Sequence, residues 1–421
     1  MRAVLAVSWV LAVAAEGFVQ ADPPRFRTEV VWVDPVKDVA EDARAADISH
    51  VLFVNRCPGG CTITPGDNDA RTNTSSIIGG VTRNLAEFSA GDEVFDAVIE
   101  CLRDVYSPYD VQIVTEDPGD SMQHHEAIMA GDPEDVGRDP LTGGIAPATC
   151  EPLNNVISFS FANGIAEMIS GQTLIETLCW TAAQESAHSF GLPNHVYDCH
   201  DPMTYLPGCG RKYFRNREIQ CGRFDGPEEC TCSVEAQNSH ERLLSTFGEG
   251  TPPPPPVVTL EYPDEGASVE EGFSIFFTAI DPRLIAGAEI YLNGSKVTEM
   301  PGKDFDTADE PYSTEAPDYP DGYIEVEVKA YDEFGTAGSA KVTVLKGEPC
   351  DGDSCGGGYE CTSGHCVALD DDGGGGCCAV AGGQRREGRF PLVALSLFAA
   401  AILWMRRGAR GQRRKLSGSR R

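Results

Sequence analysis

Basic residues are scarce in this chain of 421 residues: 33 Lys and Arg stand against 65 Asp and Glu, a formal net charge of −32. Eleven of the basic residues fall within 384–421 beside a single acid, so over 1–383 the other 22 face 64 acidic residues. A body that acidic repels phosphate backbones, which excludes nucleic-acid binding. No apolar run reaches the roughly 20 residues of an ordinary membrane helix. No internal repeat is visible, which excludes solenoids and propellers. Cysteine is absent from 257–347 although the chain holds sixteen, so that stretch must fold without a disulfide. What is present suffices for folding. Hydrophobic residues make up 41%, and the length suits two or three domains.

Both ends and the cysteines point to export. Arg2 precedes an apolar run from Ala3 to Ala15, and Ala12-Val13-Ala14 offers the small residues of a cleavage site. Residues 1–21 therefore read as a secretory signal peptide. Ten cysteines lie between Cys57 and Cys232 and four between Cys350 and Cys366. Even numbers in compact blocks suggest disulfides formed in an oxidising compartment. Cys230 and Cys232 stand too close to bridge each other easily, so each is expected to pair elsewhere. Near the end, Cys377-Cys378 follow a glycine run, and a spacer leads to the mostly apolar Phe390–Met405 and then Arg406-Arg407. The trailing charges would hold such a segment on the cytoplasmic side.

Five prolines, Pro252 to Pro256, mark a stiff linker over 249–256. Beyond them, 257–347 reads as short strands: Val257–Tyr262, Phe273–Ile280, Glu289–Leu292, Tyr323–Tyr331 and Ala340–Leu345. Asn293-Gly294 is a strong two-residue hairpin signal. Cys350, Cys355, Cys361 and Cys366 sit among Gly, Asp and Ser, so 348–367 reads as a small disulfide-rich segment, with a zinc knuckle as the rival.

The first 225 or so mature residues mix strand and helix signals. His50–Asn55, Val111–Val114 and Val156–Phe159 read as strands, and Val94–Val105 carries apolar residues at helical spacing. Leu174–Phe190 reads as a helix ending at Gly191. It carries Gln184-Glu185-Ser186-Ala187-His188, then Gly191 and Asn194-His195, with Asp201-Pro202-Met203-Thr204-Tyr205 following as a tight turn. Gln184 and His188, four apart, share a helix face. His124-His125, ahead of Glu126, reads as a surface pair.

This arrangement resembles the metzincin zinc peptidases, whose motif is H-E-x-x-H-x-x-G-x-x-H followed by a Met-turn. The resemblance implies an α/β metzincin-like domain over 22–248, zinc as cofactor, Glu185 as general base, His188 as a metal ligand and Met203 in the Met-turn. Two positions depart from the pattern. Gln184 replaces the first ligand histidine, and Asn194 stands at the third position with His195 one residue later. The implied metal set is therefore His188, His195 and the weaker Gln184. The segment 257–347 resembles bacterial immunoglobulin-like modules, which implies an all-β sandwich. The tail resembles the MYXO-CTERM sorting type: motif and spacer over 368–389 with Cys377 and Cys378, a transmembrane helix over 390–405 and a basic cytoplasmic tail over 406–421. Together the resemblances imply an exported protein at the cell surface or outer membrane, held by its tail and acting on a peptide or protein. The alternative is a catalytically inactive relative that keeps the fold as a surface for binding or adhesion.

Overall fold

The computed structural model describes residues 26–35, 37–38 and 47–349, together with 355, 359–362 and 365–368. The expected signal peptide, Cys377, Cys378, the hydrophobic segment and the basic tail lie outside the described residues. The described chain is mixed α/β, with several sheets and few helices. No helix among the described residues is long and apolar enough to cross a membrane.

The first region is built on a six-stranded sheet. Its strands are β1 (Arg27–Trp32), β2 (Val51–Asn55), β3 (Gln112–Val114), β4 (His125–Met129), β5 (Thr142–Ala148) and β6 (Ile157–Ser160), in the order β1-β5-β6-β4-β2-β3. Strands β6, β4, β2 and β3 pair in parallel. Strand β5 runs antiparallel to β6, and β1 then lies parallel to β5 as the edge. The apolar run of β2 suits a central strand covered on both faces. Strand β5, Thr-Gly-Gly-Ile-Ala-Pro-Ala, carries no such signal, yet every residue in it is buried.

Among the described residues, four helices accompany the sheet: α1 (Asp92–Tyr106), α2 (Ala162–Met168), α3 (Gly171–Ser189) and α4 (Ser239–Phe247). Helix α1 forms because Phe95, Val98, Ile99, Leu102 and Val105 fall on one face, which packs into the main core. Asp92 and Glu93 in its first turn and Arg103 in its last complement the helix dipole. Helix α3 differs: from Leu178 to Ser189 every residue is buried, polar ones included. It stops at Phe190, and Gly191 takes φ of +85°, a left-handed turn that glycine adopts without strain.

Disulfides join Cys57–Cys61, Cys101–Cys179, Cys150–Cys232, Cys199–Cys209, Cys221–Cys230 and Cys355–Cys366. Cys230 and Cys232 pair with different partners, as expected from their spacing. Cys101–Cys179 ties α1 to α3 across 78 residues.

Two sheets occupy 257–347. Strands β7 (Val257–Tyr262), β9 (Ser274–Ile280) and β12 (Tyr312–Glu315) make one, in the order β7-β9-β12. Strands β8 (Ser268–Val269), β10 (Ile285–Leu292), β11 (Ser295–Pro301), β13 (Gly322–Asp332) and β14 (Ala337–Lys346) make the other, ordered β8-β14-β13-β10-β11. Both contribute to one core, with Ile275 and Phe277 from the first and Ile290, Val326 and Val344 from the second. Asn293 and Gly294 take φ of 47° and 78° and join β10 to β11, as the hairpin signal predicts.

This second region packs directly against the first. Arg215, 1% exposed, pairs with Glu333 at 2.8 Å and lies over the Phe305 ring. Arg283, also 1% exposed, reaches the Asp104 carboxylate and backbone carbonyl and covers Tyr213. Phe305 stacks on His200 with ring centroids 3.4 Å apart. Buried charges need partners, and each arginine finds its own across the junction.

His124 and His125 are not on the surface. His125 begins β4, and both are buried, with the His125 ring edge-on to Phe190 just after α3. An apolar neighbour from a distant helix outweighs the polarity of the pair, and burial lowers the pKa of His125 to about 3, so it stays neutral.

Candidate metal centre and cleft

The last turns of α3 and the loop after Gly191 bring two histidines together. Nε2 of His188 lies 3.2 Å from Nε2 of His195. The edge of a tetrahedral site with zinc–nitrogen bonds of 2.0–2.1 Å is about 3.3 Å, so the pair has the spacing of two ligands to one ion. Nδ1 of His188 donates to the carbonyl of Leu192 at 2.8 Å, which makes Nε2 its lone-pair nitrogen. Burial lowers the pKa of His188 to about 4. Burial, then the neighbouring His188, holds His195 well below the usual range. Both rings are therefore neutral at pH 7, as metal ligands must be.

Asn194 turns the other way. Its Oδ1 accepts from the backbone N–H and hydroxyl of Thr231, each at 2.7 Å. That is how the extra residue is absorbed and why the histidine one place later faces inward.

Gln184 is fully buried and commits its amide nitrogen. Nε2 donates to the carbonyls of Pro202 and Thr204, both at 2.8 Å, while Oε1 has no hydrogen-bond partner. Trp180 Nε1 donates to the same Pro202 carbonyl. The turn is further organised by Asp201, whose Oδ1 accepts from the Met203 N–H and whose Oδ2 accepts from the backbone N–H of Arg215. Met203 is fully buried beneath it. Gln184 thus braces the turn with its amide nitrogen and leaves its carbonyl oxygen as an orphaned acceptor.

Glu185 is also fully buried, and neither carboxylate oxygen has a partner. It lies against Gly144 of β5, where a Cβ would fall 2.5 Å from Oε1. Only glycine lets the strand approach this closely. Burial, and secondarily the charge of Glu29, pushes its pKa well above the usual carboxylate range.

Two residues beyond the sequence motif complete the surroundings. Thr28 of β1 sets its Oγ1 3.1 Å from Nε2 of His195. Tyr205 stacks on the His195 ring at 3.9 Å and donates its hydroxyl to the Thr28 carbonyl at 2.7 Å. A cleft of about 580 Å³ opens beside them, bordered by β1, His195, Tyr205 and Arg223. Thr28 is 167 residues from His195, and no local signal could have joined them. Tyr205 was visible only as part of the turn.

Cys199, His200 and Cys209 form a Cys/His group of the kind that can hold a metal, with ligand atoms within 4.8 Å of one another. The two sulfurs are bonded to each other, so the group would act as a site only when reduced.

His188 and His195 supply two imidazole nitrogens at the spacing that a zinc ion would fit. Gln184, with its orphaned Oε1, shares a helix face with His188, while among the described residues no third His, Cys, Asp or Glu ligand atom lies within 4.8 Å of both nitrogens.

No protein-family model matches the chain. No curated protein is similar enough to match it. Among solved structures, similarity extends to fibronectin(III)-like modules of Clostridium thermocellum CbhA, with 24% identity over 22% of this chain and 46% of that one, TM-score 0.18. It extends also to CopC from Methylosinus trichosporium, with 15% identity over 21% of this chain and 93% of that one, TM-score 0.17. At these scores neither likeness carries an argument.

Proposed function

We propose that residues 22–248 form a metzincin-type zinc peptidase domain and that the chain is an exported, surface-displayed protein whose cleft receives a peptide. The observation that carries this reading is the 3.2 Å approach of the His188 and His195 nitrogens, neutral and buried, at the end of a helix that also holds Glu185. In this reading His188 and His195 hold the metal, with the Gln184 Oε1 as the third, weaker donor. A zinc ion bound there supplies Lewis acidity to water and to a substrate carbonyl. Glu185, made more basic by its dry surroundings, takes a proton from the attacking water and returns it to the leaving amine. Gly144 makes room for that carboxylate at the edge of β5. An extended peptide would be guided along the edge of β5, where β1 already lies.

The module over 257–347 is read as an immunoglobulin-like sandwich, supported by its two sheets around one core. Disulfide richness supports export.

A second reading has its own observation. Gln184 gives its amide to the turn rather than serving only the metal, which favours a fold kept for binding without catalysis. Metal analysis of the purified protein, joined to cleavage assays on a peptide library, separates the two. Near-stoichiometric zinc with cleavage that Glu185→Gln abolishes supports the peptidase. Zinc without cleavage leaves the binding protein. Absence of zinc under saturating conditions defeats the peptidase and leaves the binding protein.

A further inference from the structure

A second cavity, about 470 Å³, opens on the other face of the central sheet. Ala127 and Met129 of β4 pack toward α3, whereas Ile128 belongs to a separate core. Alternation along the strand places Glu126 with Ile128, away from the histidine pair. Glu126 lines this cavity and is 2% exposed. Its Oε1 accepts from Asn55 Nδ2 at 2.6 Å, and Asn55 is itself fixed by accepting the Cys57 N–H. Its Oε2 has no partner. A buried carboxylate oxygen left unsatisfied is costly, and such atoms ordinarily have a partner.

The remaining walls describe that partner. Phe53 and Ala70, both buried, form apolar surface, and His124 also lines the cavity; the exposed Glu116 and Asp117 outnumber Arg56, which pairs with Asp92. An unpaired carboxylate in such a cavity calls for a cation. A metal ion is disfavoured, because these groups do not bring three ligand atoms within 4.8 Å of one another. A guanidinium is disfavoured too, since it pairs through both carboxylate oxygens and Oε1 is already taken. An ammonium is a point donor satisfied by one oxygen, and its methylene stem suits the apolar wall.

We propose that this cavity is a binding site for a primary alkylammonium group, carried by a free amine or by a lysine side chain. The ammonium donates to Oε2 of Glu126, its stem lies along Phe53 and Ala70, and the exposed Asp117 attracts it.

Calorimetric titration of the full chain tests this, using cadaverine as the free amine and N-acetyl-lysine methylamide as the side chain. Saturable binding of either supports the site, and the tighter probe names the source. Glu126→Gln removes the charge while keeping the shape and is expected to weaken binding about tenfold or more. Should that variant fail to fold, Asp117→Asn at an exposed position is expected to weaken binding about threefold. The proposal is overturned if neither amine binds, or if the folded Glu126→Gln variant binds as well as the parent. It is also overturned if Asp117→Asn, used in its place, leaves affinity unchanged, or if N-acetyl-arginine methylamide or calcium binds as tightly as the amines.

Discussion

Nε2 of His188 and Nε2 of His195 stand 3.2 Å apart, one on the last turn of α3 and the other in the loop beyond Gly191. Two neutral imidazoles so placed, each stripped of water, gain from an ion between them. Adding zinc to the metal-free protein should therefore raise its melting temperature in a concentration-dependent way. His188→Ala and His195→Ala should each abolish that rise in a calorimetric scan. A full zinc response in either variant would rule out the shared centre.

Replacing Gln184 should separate two effects. Gln184→His exchanges an amide oxygen for an imidazole and should strengthen zinc binding at least tenfold, read by competition with a chelator. It also removes the donor that serves the Pro202 and Thr204 carbonyls. The metal-free variant should accordingly lose roughly 1–3 kcal/mol in denaturant unfolding. Unchanged stability would mean that the turn does not depend on this amide.

Strand β1 covers the edge of β5 and sets Thr28 beside His195. A chain beginning at residue 47 should expose that edge, and in the peptidase reading its hydrolysis of a fluorogenic peptide should exceed that of the parent. Equal rates at matched zinc occupancy would show that β1 does not obstruct the cleft. The helical spacing around His188, the turn at Gly191 and the hairpin at Asn293-Gly294 were all legible in the sequence, because each rests on neighbours a few residues apart. Strands β1 and β5 were not. Neither carries a clear strand pattern, and Thr-Gly-Gly-Ile-Ala-Pro-Ala is a strand because Gly144 must admit Glu185 and the surrounding sheet buries the rest. The inward placement of His125 was lost for the same reason, since Phe190 lies 65 positions away.

Burial, partly countered by the Asn55 hydrogen bond, raises the Glu126 carboxyl to about 7. A raised carboxyl binds its proton more tightly in the folded chain. Its contribution to stability is fully present below the unfolded value of about 4.5 and is lost as pH rises through about 7. Glu126→Gln removes this dependence. The variant should gain on the parent by up to about 3 kcal/mol between pH 4.5 and pH 8, measured by urea unfolding. A constant difference across that range would contradict the shift.

The junction between the two regions rests on buried charge. Arg215→Ala would leave Glu333 buried beside a void, and loss of one partner of a buried pair costs about 3–5 kcal/mol. If docking makes the two regions melt as one in the parent, scanning calorimetry of the variant should show that transition lowered or split in two. A variant melting like the parent would mean that the contact adds nothing to docking.

Two of the disulfides close very long loops, Cys101–Cys179 across 78 residues and Cys150–Cys232 across 82. Links of that span restrict the unfolded chain strongly, by roughly 4–5 kcal/mol each on a chain-entropy basis. The first clamps α3 less than two turns before Gln184, and the second holds the loop whose Thr231 turns Asn194 aside and so aims His195 inward. Oxidation therefore tightens the framework on both sides of the histidine pair: it pins the helix that carries His188 and the loop that aims His195, so the centre draws its rigidity from links far away in the chain.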